Sequence, residues 1–430
     1  MTEPERPRLA TLEGLPEIRD VSTEQLTKPV RASQQRPTPR WVGWVLLALP
    51  SLAVFGVWLG PNVSVLATVV IVLFAAAAWD WWRFQDRSRS LRVGYLGGIF
   101  VLTGLVLTLW HDLPWRPALA ELGTIALTTG LALALVQLYR GAETVLTLAR
   151  GWLYLSLGLT LVVGWQRWSS GPRDLTGPFA DATYLAAAAL TGLVMMTLGQ
   201  TLEHDRRLRW LYPVAAGGSL MTLAWSHQTV MMLAGLGVVA VGLALTRWGR
   251  WVLAGAAVVG AVAAALSWSQ WTLSWPDSTL AWSQRRELIS QGLALARDTW
   301  FLGAGPGSYE LAAASRADLP AEPYAPLIEV VSQYGLGPLV MLVLAGLGVL
   351  QWCLVRLLRT RGRSWAAPER VTALWCGLIV LVAPVLGAQQ PGWLGAPLAG
   401  LLAATVVLLA RHVENPAGRR VMTPLVDRRP

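Results

Sequence analysis

The sequence predicts an all-α membrane protein: a bundle of about twelve helices crossing a bilayer, interrupted late in the chain by one large, partly helical external loop. Three observations predict it. Of 430 residues, 54% are hydrophobic and 14% are charged, whereas a soluble domain carries about a quarter charged residues. The apolar residues are clustered, and windows at 93–110, 184–201 and 371–391 hold no charged side chain. About 20 such residues cross a hydrocarbon core about 30 Å thick as a helix, which satisfies its own backbone polar groups. The basic residues, finally, fall on alternate connections between these windows, as membrane insertion requires. A soluble protein with buried helices is excluded, because too little polar sequence remains to cover so many apolar helices.

Residues 1–40 are polar and Pro-rich. They lack the early apolar run of a signal peptide and read as a disordered cytoplasmic tail. Spans follow at 41–60, 63–82, 92–110, 118–139, 148–166, 182–201, 208–226, 229–247 and 251–268, then at 335–355, 371–388 and 393–411. The tight junctions at 60–62 and 226–228 imply hairpins, since each tandem apolar stretch is too long for one crossing. Residues 412–430 form a second cytoplasmic tail. The alanine runs at 75–78 and 186–189 are expected to let helices pack closely. Many tryptophans near span ends, among them Trp41, Trp79, Trp82, Trp110, Trp165, Trp168 and Trp210, suit the headgroup level.

The formal net charge is +10, with Lys28 as the one lysine. The placement of the arginines points to topology and excludes nucleic acid as the partner. With the N-terminus inside, short inner connections hold Arg83, Arg87, Arg89, Arg92, Arg140, Arg150, Arg206, Arg207, Arg209, Arg247, Arg250, Arg356, Arg359, Arg361, Arg363 and Arg370. The outer ones hold Arg116, Arg167 and Arg173. Sixteen against three obeys the positive-inside rule and puts both termini in the cytoplasm. Cys353 and Cys376 lie in apolar helical segments, which argues against a disulfide framework or a metal site. No cofactor is expected.

The segment 269–334 is the one long connection, and a loop of that size carries a purpose or structure of its own. Leu288, Ile289, Leu293 and Leu295 give its 283–300 stretch an apolar helical face, and Arg285, Arg286 and Arg297 mark a polar side. Such a helix lies on or dips into the outer leaflet. Gly303, Gly305 and Gly307 then alternate around Pro306. This pattern excludes an ordinary helix. It is either a plain turn or a turn whose backbone N–H groups cradle an anion. It is no nucleotide fingerprint, because no strand precedes it and no Lys-Ser/Thr pair follows. Pro326 suits the first turn of a helix, and Glu329 then faces either a partner arginine or a cavity. Glu322 is the other notable carboxylate.

These features resemble the O-antigen ligase and polymerase superfamily of bacterial polysaccharide membrane enzymes. The family pattern is an arginine, a helix, a Gly-x-Gly-x-Gly turn with an aromatic behind it, and a helix ending in Gly-Leu-x-Gly. Arg285 (or Arg286 after a one-residue shift), Gly303, Gly305, Gly307, Tyr309 and Tyr334-Gly-Leu-Gly337 correspond to it. Leu327, Ile328 and Glu329 stand in the preceding apolar run. Where the family has His-Asn, this chain has Tyr324 and Ala325. The resemblance implies a multi-pass protein of the bacterial inner membrane. It implies glycosyl transfer on the external face, from an undecaprenyl-diphosphate-linked glycan to a glycan or lipid A-core acceptor, without metal. Arg285 and Arg286 would then hold the diphosphate, helped by Arg297, Arg116 and Arg173. Glu322, Glu329 or Tyr324 would serve in place of the family's histidine. Tyrosine is the weaker base of these, its reference pKa being about 10. A lipid-linked-saccharide transporter or a non-catalytic member of an assembly complex are the alternatives.

Overall fold

In the computed structural model, the described residues are 40–58, 63–84, 90–138, 142–170, 177–179, 182–226, 228–245, 282–309, 311, 326–360, 368–389 and 397–414. Every regular element among them is α-helical. The helices are α1 (Arg40–Trp58), α2 (Val63–Phe84), α3 (Ser90–Trp110), α4 (Trp115–Gln137), α5 (Ala142–Ser170), α6 (Ala182–Leu202) and α7 (Arg206–Trp225). They continue as α8 (Thr229–Leu245), α9 (Trp282–Asp298), α10 (Pro326–Gln333), α11 (Leu336–Arg359), α12 (Pro368–Gln389) and α13 (Pro397–Glu414). Each predicted span falls on one of these helices except 251–268, which lies outside the described residues, as do the tails 1–39 and 415–430.

Five helices are long and apolar enough to cross a membrane by themselves: Trp115–Gln137, Glu143–Ser169, Ala182–Leu202, Leu336–Arg359 and Glu369–Gly387. Shorter apolar helices accompany them. Two of the five sit at opposite extremes. In α6, 89% of the most apolar stretch is buried within the protein, whereas in α11 only 11% is. Leu344, Leu347, Leu354 and Leu358 of α11 are each more than half exposed. So much contiguous apolar surface needs an apolar solvent, and the lipid bilayer is that solvent.

The bundle is built around α6, which packs on α5, α7, α8 and α12. Ala186, Ala187, Ala188 and Ala189 are buried there, as the small-residue run requires. The run at 75–78 behaves differently: Ala77 is buried while Ala75 and Ala78 face outward. Between apolar helices in lipid, close contact and not water exclusion supplies the attraction. Gly151 of α5 lies under the Leu47 carbonyl and Pro50 of α1, and Gly199 of α6 lies under the Tyr212 ring of α7. A methyl group at either position would hold the pair apart. Hydroxyls within the helices donate back to the preceding turn, as Thr160 does to Ser156 O (2.8 Å) and Thr405 to Leu401 O (2.8 Å), so their polarity is met without water. The tryptophans near the span ends face outward. Trp79, Trp82, Trp110, Trp165, Trp168 and Trp210 are exposed, while Trp152 and Trp375 are core residues.

One ion pair fixes the α5–α6–α7 end. Arg150 donates from Nε to Glu203 Oε2 and from a terminal nitrogen to Oε1, both at 2.8 Å. The same carboxylate accepts from the backbone of His204 (3.0 Å) and Asp205 (3.1 Å) and from the Tyr212 hydroxyl (3.4 Å). Burial alone raises the pKa of Glu203, but the Arg150 and backbone hydrogen bonds outweigh it and hold the group below the ordinary carboxylate range. A depressed carboxylate pKa stabilises the fold above the unfolded-state value and loses that contribution as pH falls through the folded-state value. Glu203→Ala is therefore expected to cost about 3 kcal/mol at neutral pH, the low end for a buried pair because Arg150 is part-exposed. Thermal unfolding in detergent should show that difference at neutral pH and show it shrinking as the pH falls below the ordinary carboxylate range. A pH-independent difference would argue against the ion pair as its source.

Candidate functional site

The site begins at the end of α9. This helix packs its Gly292 and Ala296 side on α10, with Ile328 seated over Gly292. The expected apolar face is therefore split. Leu295 is half-buried, while Ile289 and Leu293 are exposed alongside Arg286 and Arg297. Small residues make the protein contact because the two helices cross closely there.

α9 closes with a Schellman arrangement. Phe301 N–H donates to Ala296 O (2.7 Å) and Trp300 N–H to Arg297 O (2.9 Å), the six-to-one and five-to-two bonds of that motif. The left-handed position is normally glycine. Here it is Trp300 at φ 54°, followed by Phe301 at φ 58°. A side chain in this region costs roughly 1–2 kcal/mol per residue, and the cost is larger in kind for bulky residues.

The glycine turn follows, with Gly303 at φ 98°, Gly305 at 92° and Gly307 at 74°. All three occupy conformations closed to other residues without strain, and the stretch is a turn, as the glycine pattern predicts. The turn lies against the end of α10. Ala304 N–H donates to Ser332 O and Gly305 N–H to Gln333 O, both at 2.8 Å, and Leu336 N–H donates back to Phe301 O at 2.9 Å. Residues 301–305 and 332–336, which overlap the two stretches carrying the sequence resemblance, thus form one backbone-bonded unit.

That unit is clamped to the bundle by residues that sequence reasoning did not select. Glu121, on the second turn of α4, accepts from Gly307 N–H at Oε2 (2.6 Å) and from the Tyr334 hydroxyl at Oε1 (2.8 Å). Gln333 faces the same carboxylate, and the amide orientation that satisfies both groups donates its NH2 to Oε2 at 2.6 Å and also to Oε1. Of the turn's N–H groups, that of Gly307 meets this carboxylate, whereas those of Ala304 and Gly305 go to main-chain carbonyls. The Tyr334 ring packs edge-on to Phe100 at 5.3 Å, within a small core of Leu122, Ile125 and Val330. Burial and the Glu121 and Glu329 carboxylates push its phenol pKa up, so it stays a donor. His111, just beyond α3, places Nε2 3.1 Å from Gly303 O. A carbonyl only accepts, so this contact puts a proton on Nε2, and the tautomer that makes it has its lone pair at Nδ1.

The remaining predicted residues distribute as follows. Tyr309 is buried, its ring facing Gly292, and burial pushes its pKa up to about 12. Glu329 is buried in the first turn of α10, which Pro326 opens as expected. Arg116, beside Pro117 at the base of the turn, is exposed, as are Arg286 and Arg297 on one face of α9. Eleven residues separate those two arginines, roughly 16 Å along the helix axis. Arg285 lies in α9 with its side chain outside the described residues. Glu322, Tyr324 and Arg173 lie outside them altogether. Glu121 did have a sequence signal: it is a lone carboxylate inside a predicted span, which marks a functional position by default. Compared with protein-family models and with curated proteins, the chain matches none.

Proposed function

We propose that this protein transfers a glycan from an undecaprenyl-diphosphate carrier to a glycan or lipid A-core acceptor, as a divergent O-antigen ligase-like or polymerase-like enzyme. In this reading the chain crosses a bacterial inner membrane twelve times, keeps both termini in the cytoplasm and works on the external face. The observation that carries it is the backbone joining of 301–305 to 332–336, across the two stretches that carry the resemblance, with His111 against Gly303 and exposed Arg116, Arg286 and Arg297 on the adjoining helices.

The reaction breaks the bond between the anomeric carbon and the diphosphate oxygen and forms one to an acceptor hydroxyl oxygen. The diphosphate departs with the electron pair, still on its lipid carrier. Arginine forks match its oxygens and stabilise the growing charge. The hydroxyl proton needs an acceptor. His111 supplies one through Nδ1, and from outside the segment where the family pattern has its histidine. Glu121 is a positioning residue, since both of its oxygens already accept hydrogen bonds from the unit it holds.

Purified protein given lipid-linked oligosaccharide and candidate acceptors, without nucleotide sugars, is expected to form product. His111→Ala should lower the rate by about 100-fold or more, the usual range for a general base, and Arg286→Ala should reduce it with a raised KM for the donor. Donor movement across vesicles without transfer would overturn the enzyme reading in favour of a flippase.

A further inference from the structure

We infer that Trp300, Phe301 and Leu302 form a hook inserted into the bilayer interface, which holds the external loop on the membrane independently of any substrate. The first support is their exposure. Trp300 is 86% exposed and Leu302 70%, and Phe301 is also on the surface. Three consecutive large apolar side chains are thus turned away from the protein.

The second support is the backbone. A Schellman cap prefers glycine at the position held by Trp300, and the following residue needs no left-handed conformation in the simple motif. This chain sets aromatic residues at both positions. Strain of that kind persists where the surroundings, or a function, over-determine it. Among the described residues none covers the Trp300 ring, which points to an external compensating contact. An amphipathic aromatic ring suits the membrane interface better than any other surface.

The third support commits the partner to lipid. Phe301 O accepts from Leu336 N–H, and Leu336, itself half exposed, is the first residue of α11. α11 is the span with 11% of its apolar stretch buried. The hook is therefore continuous with the outer end of a lipid-facing helix, and Ile289 and Leu293 extend the exposed apolar surface along α9.

The test uses the full chain in nanodiscs. An environment-sensitive nitrobenzoxadiazole maleimide is attached at Leu302→Cys and, as a water-facing control, at Glu287→Cys. Cys353 and Cys376 are buried and do not compete for the label. Emission at position 302 is expected to be blue-shifted, quenched at least twofold by lipids carrying a nitroxide near the carbonyl level, and protected from aqueous iodide. Position 287 should show the reverse. Iodide quenching at 302 without lipid quenching would overturn the proposal. Protection from both quenchers would assign the patch to a protein contact and overturn it equally. Trp300→Gly keeps the cap geometry while removing the ring. It should raise iodide quenching at 302 severalfold, and an unchanged label would exclude Trp300 as the anchor.

Discussion

Glu121→Ala is expected to release the 303–309 turn and α10 from the bundle while leaving the spans folded. The substitution strips the acceptor from the Gly307 N–H, the Tyr334 hydroxyl and the Gln333 amide at once. Each buried donor left without a partner costs about 1–3 kcal/mol. The sum is on the order of 3 kcal/mol or more, allowing for water reaching some of the freed groups. That corresponds to roughly a 100-fold rise in the open population of the segment. Hydrogen exchange read by mass spectrometry should show the rise in peptides covering 303–309 and 326–335, with α6 unchanged as an internal reference. Glu121→Gln keeps one oxygen acceptor and should open the segment less, by about tenfold. If the alanine variant exchanges like the parent, the carboxylate does not clamp the loop. Transfer activity, under the function proposed above, should fall in the same order as the exchange rises.

The helices were legible in the sequence because their cause is local. A run of about 20 uncharged apolar residues has little choice but to form a helix in lipid, and the ends of α1, α2, α6 and α7 fall within a few residues of the predicted spans. The glycine turn was legible for the same reason, since glycines alternating around Pro306 exclude an ordinary helix by local conformational preference. What the turn touches was not legible. Gly307 and Glu121 are 186 residues apart, and Tyr334 and Glu121 213 apart. No spacing rule joins them. The hydrogen bond of His111 to Gly303 O likewise spans 192 residues and depends on how α3 and α4 pack against the turn. The buried side of α9 was misjudged in part because leucine and isoleucine mark an apolar face equally well toward protein and toward lipid. Glycine at 292 and alanine at 296 marked the protein side.

The clamp and the hook hold the described part of this loop from two sides. Glu121 and His111 tie the turn to the α3–α4 hairpin, and Trp300–Leu302, on the inference above, tie its other side to lipid. Between the two, the chain is held by backbone bonds to the end of α10. Depth in the membrane and attachment to the bundle are thus set by separate groups. A change at Trp300 should alter where the loop rides, and a change at Glu121 should alter whether it is docked.

The backbone-to-backbone contact at the centre of this unit makes the sharpest demand on sequence. A Cβ at Gly303 would stand 2.7 Å from Gln333 O, Gly335 N and Tyr334 C, and one at Gly335 would meet the Leu302 carbonyl. Those neighbours are main chain and cannot swing aside. Both glycines also sit at positive φ, 98° and 88°, where an L-residue is strained in any case. Gly303→Ala and Gly335→Ala are each expected to lose about 2 kcal/mol or more from the strain alone, before the clash is counted. They should expose the 326–335 segment to limited proteolysis even though a single methyl group is added. Gly337 belongs to the same Gly-Leu-Gly stretch, but nothing lies within 4 Å of a Cβ built there, and its φ is not positive. Alanine there extends a good helix former into α11 and should be neutral or slightly stabilising, by up to about 1 kcal/mol. Equal damage at 335 and 337 would mean that the stretch is constrained by something other than this contact. Damage at 303 and 335 alone would locate the constraint where two main chains meet.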